Sequence, residues 1–139
     1  MRWSVTLRAL LALLLVGLSL GAAAQSMPNF DELERRLHIR PDQKDQYDLA
    51  VGATKRALLS VGLAAMQMKD DLVRELAKPS PDFGALARRQ NRLIEDQRPL
   101  FREAGKQWQR LYRILDPRQV DTVRDFLREN LGRLAPDSF

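Results

Sequence analysis

The sequence predicts an all-α fold of four helices, of which two are long and antiparallel. Three observations support this prediction. No stretch of residues 25–139 alternates apolar and polar side chains as a strand does. Apolar residues recur instead at steps of three and four, which is the spacing of helices. Pro and Gly are sparse, and where they cluster they fall at the ends of these periodic segments.

The first residues have the features of a cleavable signal peptide. Two arginines precede an apolar run at 9–20, and Ala22 and Ala24 form an A-x-A cleavage pattern. We therefore expect a signal peptide at 1–24 and one exported, periplasmic domain at 25–139. The apolar run is shorter than the roughly 20 residues of a membrane-spanning helix, and an uncleaved anchor is the alternative interpretation. We expect no stable membrane span after cleavage.

Composition argues against most catalytic chemistry. Cleavage would leave 21 basic against 18 acidic residues, a net charge of +3, which gives little support to a nucleic-acid partner. The absence of Cys excludes disulfides, thiolate metal sites and Cys nucleophiles. A single His and the lack of a phosphate-binding loop or nucleophile motif argue against an enzyme. We expect neither a catalytic site nor a cofactor.

The first two helices are predicted from caps and spacing. A short helix covers 30–37, with Asn29 as N-cap and Glu32 completing a capping box. The second runs from Pro41 to about Ala77 and would be roughly 55 Å long. Its predicted buried seam has coiled-coil-like spacing: Tyr47, Val51, Thr54, Leu58, Val61, Ala65, Met68, Leu72 and Leu76.

The sequence KPSPD at 78–82 ends the second helix, because two prolines interrupt it. A third helix follows at 83–114, and Pro99 predicts a bend within it. Its predicted core face comprises Leu86, Leu93, Gln97, Leu100, Ala104, Trp108, Leu111 and Leu115. The fourth helix is predicted from 116–117 to about residue 131. Its apolar stripe comprises Val120, Val123, Leu127, Leu131 and Leu134.

Two helix starts share one pattern, an apolar residue followed by x, Pro, x and Gln. Pro at the first helical position loses no N–H that the helix needs. Gln at the third position can accept a hydrogen bond from the N–H of the cap residue. The preceding residue is a good cap in the second copy and a poor one, Arg40, in the first. The motif residues are Ile39, Pro41 and Gln43 in one copy, and Leu115, Asp116, Pro117 and Gln119 in the other.

This pair of motifs resembles the Leu-Thr-x-x-Gln motifs of Spy/CpxP-like periplasmic proteins. Thr is absent from both copies, and Ile39 replaces Leu in the first. The resemblance implies a periplasmic protein whose long helices form a thin, curved hairpin in an antiparallel homodimer. It also implies ATP-independent binding of unfolded or misfolded envelope proteins, or modulation of an envelope-stress response. The alternatives are a periplasmic heavy-metal sensor or resistance protein, as in a related branch, and a dedicated regulatory partner of a sensor-kinase ectodomain.

The second helix has an additional apolar stripe away from its predicted seam, formed by Leu59, Leu63, Met66 and Val73. A helix that is apolar on two sides must be covered on both or use one for binding. One small chain has too few partner stripes to cover both. A homodimer seam, a client-binding surface and packing within the chain remain open for this stripe.

The third helix has a basic stripe, formed by Arg88, Arg92, Arg102, Lys106, Arg110 and Arg113. At about 100° per residue these side chains lie within roughly 40° of one direction. A solvated face, attraction of acidic or unfolded clients, and contact with an anionic lipid surface all explain such a stripe. The predicted client-binding residues combine both stripes: Arg56, Leu59, Leu63, Met66, Arg88, Arg92, Lys106 and Arg110.

His38 is the best candidate for a metal ligand in this sequence. Glu34 lies one turn before it and Asp42 one turn after it, so an imidazole and two carboxylates are close in sequence. Zinc and similar ions need more ligands than these unless a dimer mate supplies them. We therefore interpret His38 as a surface residue beside a helix start, and predict no metal site.

Overall fold

The computed structural model describes residues 27–134, and these form the four helices that the sequence predicts. Helix α1 covers Phe30–Leu37, α2 covers Pro41–Leu76, α3 covers Phe83–Ile114 and α4 covers Pro117–Leu134. The described part of the chain contains no strand, so the all-α class is confirmed. The predicted signal peptide and the C-terminal tail lie outside the described residues.

The two long helices pair antiparallel along their length. Near the base of the hairpin, the Trp108 Nε1–H of α3 donates to the Thr54 Oγ1 of α2 at 2.6 Å. At the tip, Arg89 Nη2 lies 2.9 Å from Glu75 Oε2. Residue numbers therefore fall along α3 as they rise along α2, which confirms the predicted hairpin.

The predicted seam of α2 is wrong in the second half of the helix. The structure buries the residues one position earlier: Ala57, Ala64, Asp71 and Glu75. The predicted residues are half-buried or exposed: Leu58, Ala65, Leu72 and Leu76. Alanines at the seam bring the α2 and α3 backbones close together, and the two carboxylates bind cations of the tip. Because small residues and paired carboxylates occupy the seam, the larger leucines of α2 lie outside it.

The predicted core face of α3 is confirmed. Leu86, Ala104 and Leu111 are buried, and the other predicted members are half-buried. Gln107 is also buried, and its side chain accepts a 3.0 Å bond from Gln46 of α2. The helix continues through Pro99, which lies on the exposed side. The predicted bend stays a prediction.

Helices α1 and α4 cover one face of the hairpin at its base. Their apolar side chains form a core with α2 and α3, whose buried members are Phe30, Leu33, Leu37, Tyr47, Ala50, Val51, Leu111, Val123 and Phe126. Val123 and Leu127 confirm the predicted stripe of α4, whereas the side chains of Leu131 and Leu134 lie outside the description. Most of the tightly packed apolar surface of the described chain is therefore at this end.

Tyr47 occupies the centre of this core. Its hydroxyl donates to the Phe30 carbonyl oxygen at 2.6 Å, which ties α1 to α2. Its ring meets that of Trp108 edge-on, with 6.2 Å between centroids. Burial raises the pKa of the Tyr47 hydroxyl, so the hydroxyl stays protonated and keeps its donor role.

The carboxylate of Glu75 organises the tip of the hairpin. Its Oε1 accepts from the Asp82 N–H at 2.7 Å, and its Oε2 accepts from Lys78 Nζ at 3.0 Å and from Arg89 Nη2 at 2.9 Å. Asp82 in turn caps α3, because its Oδ1 accepts from the Ala85 N–H at 2.9 Å. These bonds lower the pKa of Glu75 to about 2, led by the backbone donor of Asp82.

Acid should loosen this tip before it loosens the base. The unfolded Glu75 carboxyl takes up its proton near its ordinary pKa of about 4.5, and the folded one only near about 2. The contribution of this group is therefore complete above about pH 4.5 and falls as the pH drops toward about 2. In urea unfolding across this window, the free energy of unfolding of Glu75→Gln should depend less on pH than that of the parent chain.

Asp70→Asn removes an exposed carboxylate of the same helix and is the control. Equal slopes for the parent and Glu75→Gln would contradict the role of this carboxylate.

Gly62 is not required for close packing within the chain. A Cβ at this position would meet nothing within 4 Å. Because Gly in a helix interior costs roughly 0.5–1 kcal/mol relative to Ala, Gly62→Ala should raise the free energy of unfolding by about that amount. Chemical unfolding followed by circular dichroism measures this change. A lower stability would show that another surface, such as a second chain, approaches the helix at Gly62.

Candidate functional site

The two motif glutamines meet at the base of the hairpin. Gln43 Nε2 donates to Gln119 Oε1 at 2.9 Å, and Gln119 Nε2 donates to Gln43 Oε1 at 2.8 Å. Both side chains are buried, with 0% and 5% of their surface exposed. The two similar helix starts therefore meet through this pair of hydrogen-bonded amides, here called the glutamine joint. The sequence analysis treated them separately and did not predict this contact.

Backbone groups determine the orientation of both amides. The Oε1 of Gln43 accepts from the Arg40 N–H at 3.1 Å, and its Nε2 donates to the Ile114 carbonyl at 2.8 Å. The Oε1 of Gln119 accepts from the Asp116 N–H at 3.0 Å, and its Nε2 donates to the Leu37 carbonyl at 3.1 Å. Each glutamine thus lies in the first turn of its own helix and binds the end of a helix from the other half of the chain.

The remaining motif residues support this joint. Asp116 Oδ1 accepts from the Gln119 N–H at 2.9 Å, which completes the predicted capping box. Arg40 has no such cap bond, as expected, but its Nη1 lies 3.6 Å from Asp116 Oδ2. Pro41 and Pro117 occupy the first positions of α2 and α4. Ile39 and Leu115 pack partly buried against the base core. The motif is structural in this chain.

The second apolar stripe of α2 is exposed. Leu59, Leu63, Met66 and Val73, here called the apolar row, are between 59% and 68% exposed. At about 100° per residue they project roughly opposite the buried seam of α2. Packing within the described chain, one of the three interpretations of this stripe, is therefore wrong. Arg56 is exposed beside the row, so the structure brings the four predicted client residues of α2 together.

The basic stripe of α3 is also exposed. All six side chains of this basic row are exposed: Arg88, Arg92, Arg102, Lys106, Arg110 and Arg113. They project roughly 140° from the α3 seam by the same count of about 100° per residue. The four predicted client residues of α3 belong to this row and lie on one side of the helix.

The apolar row and the basic row belong to the two long helices. Each row projects away from the seam of its own helix, and the two seams face each other. By the same count of about 100° per residue, both rows lean toward the side of the hairpin that α1 and α4 leave free. The structure brings Arg56, Leu59, Leu63 and Met66 together, and Arg88, Arg92, Lys106 and Arg110 together, and a single client surface over both sets stays a prediction.

A further apolar surface, which sequence reasoning missed, continues beyond the base core. Leu72, Leu76, Phe83 and Ile94, here called the distal face, are between 39% and 59% exposed. By their helical phase they lie on the side of the hairpin that α1 and α4 cover at the base. The predicted seam had placed Leu72 and Leu76 inside, which concealed this surface. Its signal in α2 is a leucine directly after each of the two polar seam residues, Asp71 and Glu75.

The surroundings of His38 differ from those of a metal ligand. His38 ends α1 in the left-handed conformation with φ of 49°, and its N–H donates to the Arg35 carbonyl at 3.2 Å. The neighbouring carboxylates are engaged by cations: Glu34 lies 2.6 Å from Lys44 Nζ, and Asp42 lies 3.2 Å from Arg40 Nε. The Arg40 bond lowers the pKa of Asp42. His38 therefore serves here as the C-cap of a short helix.

The hydropathy of α2 reflects its two apolar sides. Of the helices in the described range, α2 alone is long and apolar enough to cross a membrane by length and composition. Its most apolar 18-residue window has a mean hydropathy of 1.3, and only 33% of that window is buried. The seam against α3 and the exposed apolar row together produce this value.

Comparisons with protein-family models, with curated proteins and with solved structures give no match. The function of the chain is therefore argued from its own surfaces.

Removing one amide of the glutamine joint should destabilise the whole fold. Gln43→Ala leaves the Arg40 N–H, the Ile114 carbonyl and the Gln119 amide without their partner. An unsatisfied buried polar group costs about 1–3 kcal/mol, and we expect a loss in the free energy of unfolding of at least that size. Urea denaturation followed by Trp108 fluorescence measures it at the base core.

Gln109→Ala, on the exposed side of α3, is the matched control and should change stability by less than about 0.5 kcal/mol. Gln119→Ala should behave like Gln43→Ala. Because the two glutamines share bonds, the double variant should lose less than the sum of the single losses. Strict additivity would contradict the reciprocal pair.

Proposed function

We propose that this chain is a periplasmic, ATP-independent chaperone or envelope-stress modulator that binds partly unfolded proteins. The observation that supports this proposal is the apolar row. Four large apolar side chains project into solvent from a helix whose opposite side is packed against α3. Scattered exposed apolar residues are ordinary, but Leu59, Leu63 and Met66 are neighbours on one side of α2, and Val73 follows beyond the exposed Asp70. Such a cluster is typical of a binding surface.

The size of the row fits short, extended apolar segments. Leu59 and Val73 are fourteen residues apart, which corresponds to about 21 Å along the helix. An extended client segment of about six residues spans this distance. A shallow row without a pocket favours weak and rapidly reversible contact with many sequences, and Met66 adds an adaptable side chain. Such contact needs no nucleotide to release the client.

The basic row has a separate part in this proposal. Because it belongs to the neighbouring helix, its cations attract the acidic groups of a client that is bound at the apolar row. Such attraction raises the encounter rate and weakens as salt screens the charges. We therefore propose Arg56, Leu59, Leu63 and Met66 as contact residues, and Arg88, Arg92, Lys106 and Arg110 as attracting residues.

We also propose a homodimer, in keeping with the family resemblance. The chain exposes two apolar surfaces, the apolar row and the distal face. A dimer that covers one of them leaves the other available to clients. We assign the dimer seam to the distal face, because it continues the apolar surface of the base core, and client contact to the apolar row.

Polar substitutions in the two surfaces should separate the two properties. The triple variant Leu59→Ser, Leu63→Ser and Met66→Ser should lose most suppression of client aggregation while it keeps helicity and dimer mass. Each of these apolar contacts contributes up to about 1.5–3 kcal/mol when fully buried by a client. The measurement is light scattering of two unrelated unfolding proteins without ATP, together with circular dichroism and analytical ultracentrifugation.

The matched variant is Leu72→Ser, Leu76→Ser and Ile94→Ser, which makes the same number of changes on the distal face. It should dissolve the dimer and still suppress aggregation. If the apolar-row variant dissolves the dimer and leaves suppression intact, the row is the seam and the client assignment is wrong. If the parent chain suppresses no aggregation and binds one sensor-kinase ectodomain tightly, the dedicated regulatory partner replaces the chaperone.

A further inference from the structure

We propose that the basic row is a docking surface for a membrane that contains anionic phospholipids. The row comprises Arg88, Arg92, Arg102, Lys106, Arg110 and Arg113. This inference goes beyond the proposed function and uses α3, whereas the apolar row is on α2.

The first observation is that these six cations have no acidic partners. Nine other Lys and Arg side chains of the described chain form ion pairs within 4.0 Å: Arg36, Arg40, Lys44, Arg74, Lys78, Arg89, Arg98, Arg124 and Arg128. None of the six in the basic row pairs with a described residue. Five more described cations are also unpaired, but they are scattered over α1, α2 and α4: Arg35, Lys55, Arg56, Lys69 and Arg118. The basic row differs from them because its six unpaired cations share one side of a single helix.

Acidic side chains near the row form ion pairs with none of its cations. Glu95 projects in the same sector of α3, but its Oε1 is bound by Arg98 Nη2 at 3.1 Å. Glu103 keeps its charge and accepts from Gln107 Nε2 at 2.7 Å. The negative end of the helix dipole accounts for a cation in the last turn only, where Arg113 lies. Five cations of the row therefore have neither an acidic partner nor a helix end beside them.

The shape of the row favours a flat surface. It extends from Arg88 to Arg113, about 38 Å along the helix, and projects away from α2. Apart from Pro99, its sector holds no apolar side chain, and the apolar face of α3 is packed against α2. An acidic polypeptide would gain little from such a row beyond charge. A sheet of phosphate headgroups can meet all six cations at once, without insertion of the helix.

Docking through the basic row would use α3, whereas the client contacts of the apolar row are on α2. Lys106 and Arg110 take part in both proposals, so the apolar-row variant separates them: it should lose client binding and keep vesicle binding. Failure of one proposal is therefore distinguishable from failure of the other.

The test is sedimentation with vesicles of phosphatidylcholine alone and of phosphatidylcholine mixed with phosphatidylglycerol. The full chain is expressed and purified as the cell processes it, and its N-terminus is determined by mass spectrometry. We expect binding to the mixed vesicles above the level on phosphatidylcholine, and loss of that excess at high salt. The triple variant Arg102→Gln, Lys106→Gln and Arg110→Gln should bind mixed vesicles at least about tenfold more weakly.

The control variant Arg74→Gln, Arg124→Gln and Arg128→Gln removes three exposed charges elsewhere and should keep most of the binding. The variant Leu59→Ser, Leu63→Ser and Met66→Ser should bind the mixed vesicles like the parent chain. Equal losses in the two charge variants would show attraction by net charge alone and overturn the proposal. Absence of excess vesicle binding, with binding of polyglutamate that depends on the basic row, would assign the row to an acidic polypeptide instead.

Discussion

The reciprocal amide pair of Gln43 and Gln119 is the contact on which the rest of the structure depends. Each amide makes bonds to its counterpart, to the first turn of its own helix and to the end of a helix from the other half of the chain. Four helix ends therefore meet at one buried point. Neither glutamine can leave this point without exposing backbone groups of both halves, since buried amides cannot replace these bonds with water.

A second polar cluster holds the far end of the hairpin, where Glu75 joins Lys78, Asp82 and Arg89. Between these two clusters the seam of α2 is built mostly from small side chains such as Ala57 and Ala64. This arrangement differs from that of a typical coiled coil, in which large apolar residues fill the seam. Because polar clusters align the helices at both ends, the leucines of α2 are not all needed between them. Several are free to project outward.

Much of the fold could be predicted from local signals. The helix starts follow from residues with a clear physical role, such as Asn29, Asp82 and Pro117, and the structure places them as N-caps or first helical residues. The seam of α2 could not be predicted as well, because hydrophobicity favours Leu72 over Asp71 as a buried residue. Asp71 and Glu75 are buried because Arg89, on another helix, approaches them. Such a contact between distant residues leaves no periodic signal in the sequence.

The candidate surfaces, too, could be predicted only in part from the sequence. Helical phase predicted correctly that Leu59, Leu63 and Met66 project together, because these residues belong to one helix. It could not place them relative to Arg88 and Arg92, because the rotation of α2 about its axis follows from the seam, and the seam was misplaced by one residue. One position corresponds to about 100° of rotation. An error of this size also hid the distal face.

The proportions of the chain leave half of the hairpin without covering helices. Helix α3 has 32 residues and α2 has 36, whereas α4 has 18 and α1 has 8. At about 1.5 Å per residue, α4 spans about 27 Å beside a hairpin of about 50 Å, so the covering helices reach only part of one face. Beyond them Ile94 of the distal face is exposed, and Leu63 and Met66 of the apolar row are exposed on another side of α2. A chain selected only for stability would replace these side chains with charged ones at little cost. Their presence on a hairpin that is held together at both ends by polar contacts is the strongest argument that this surface binds other molecules.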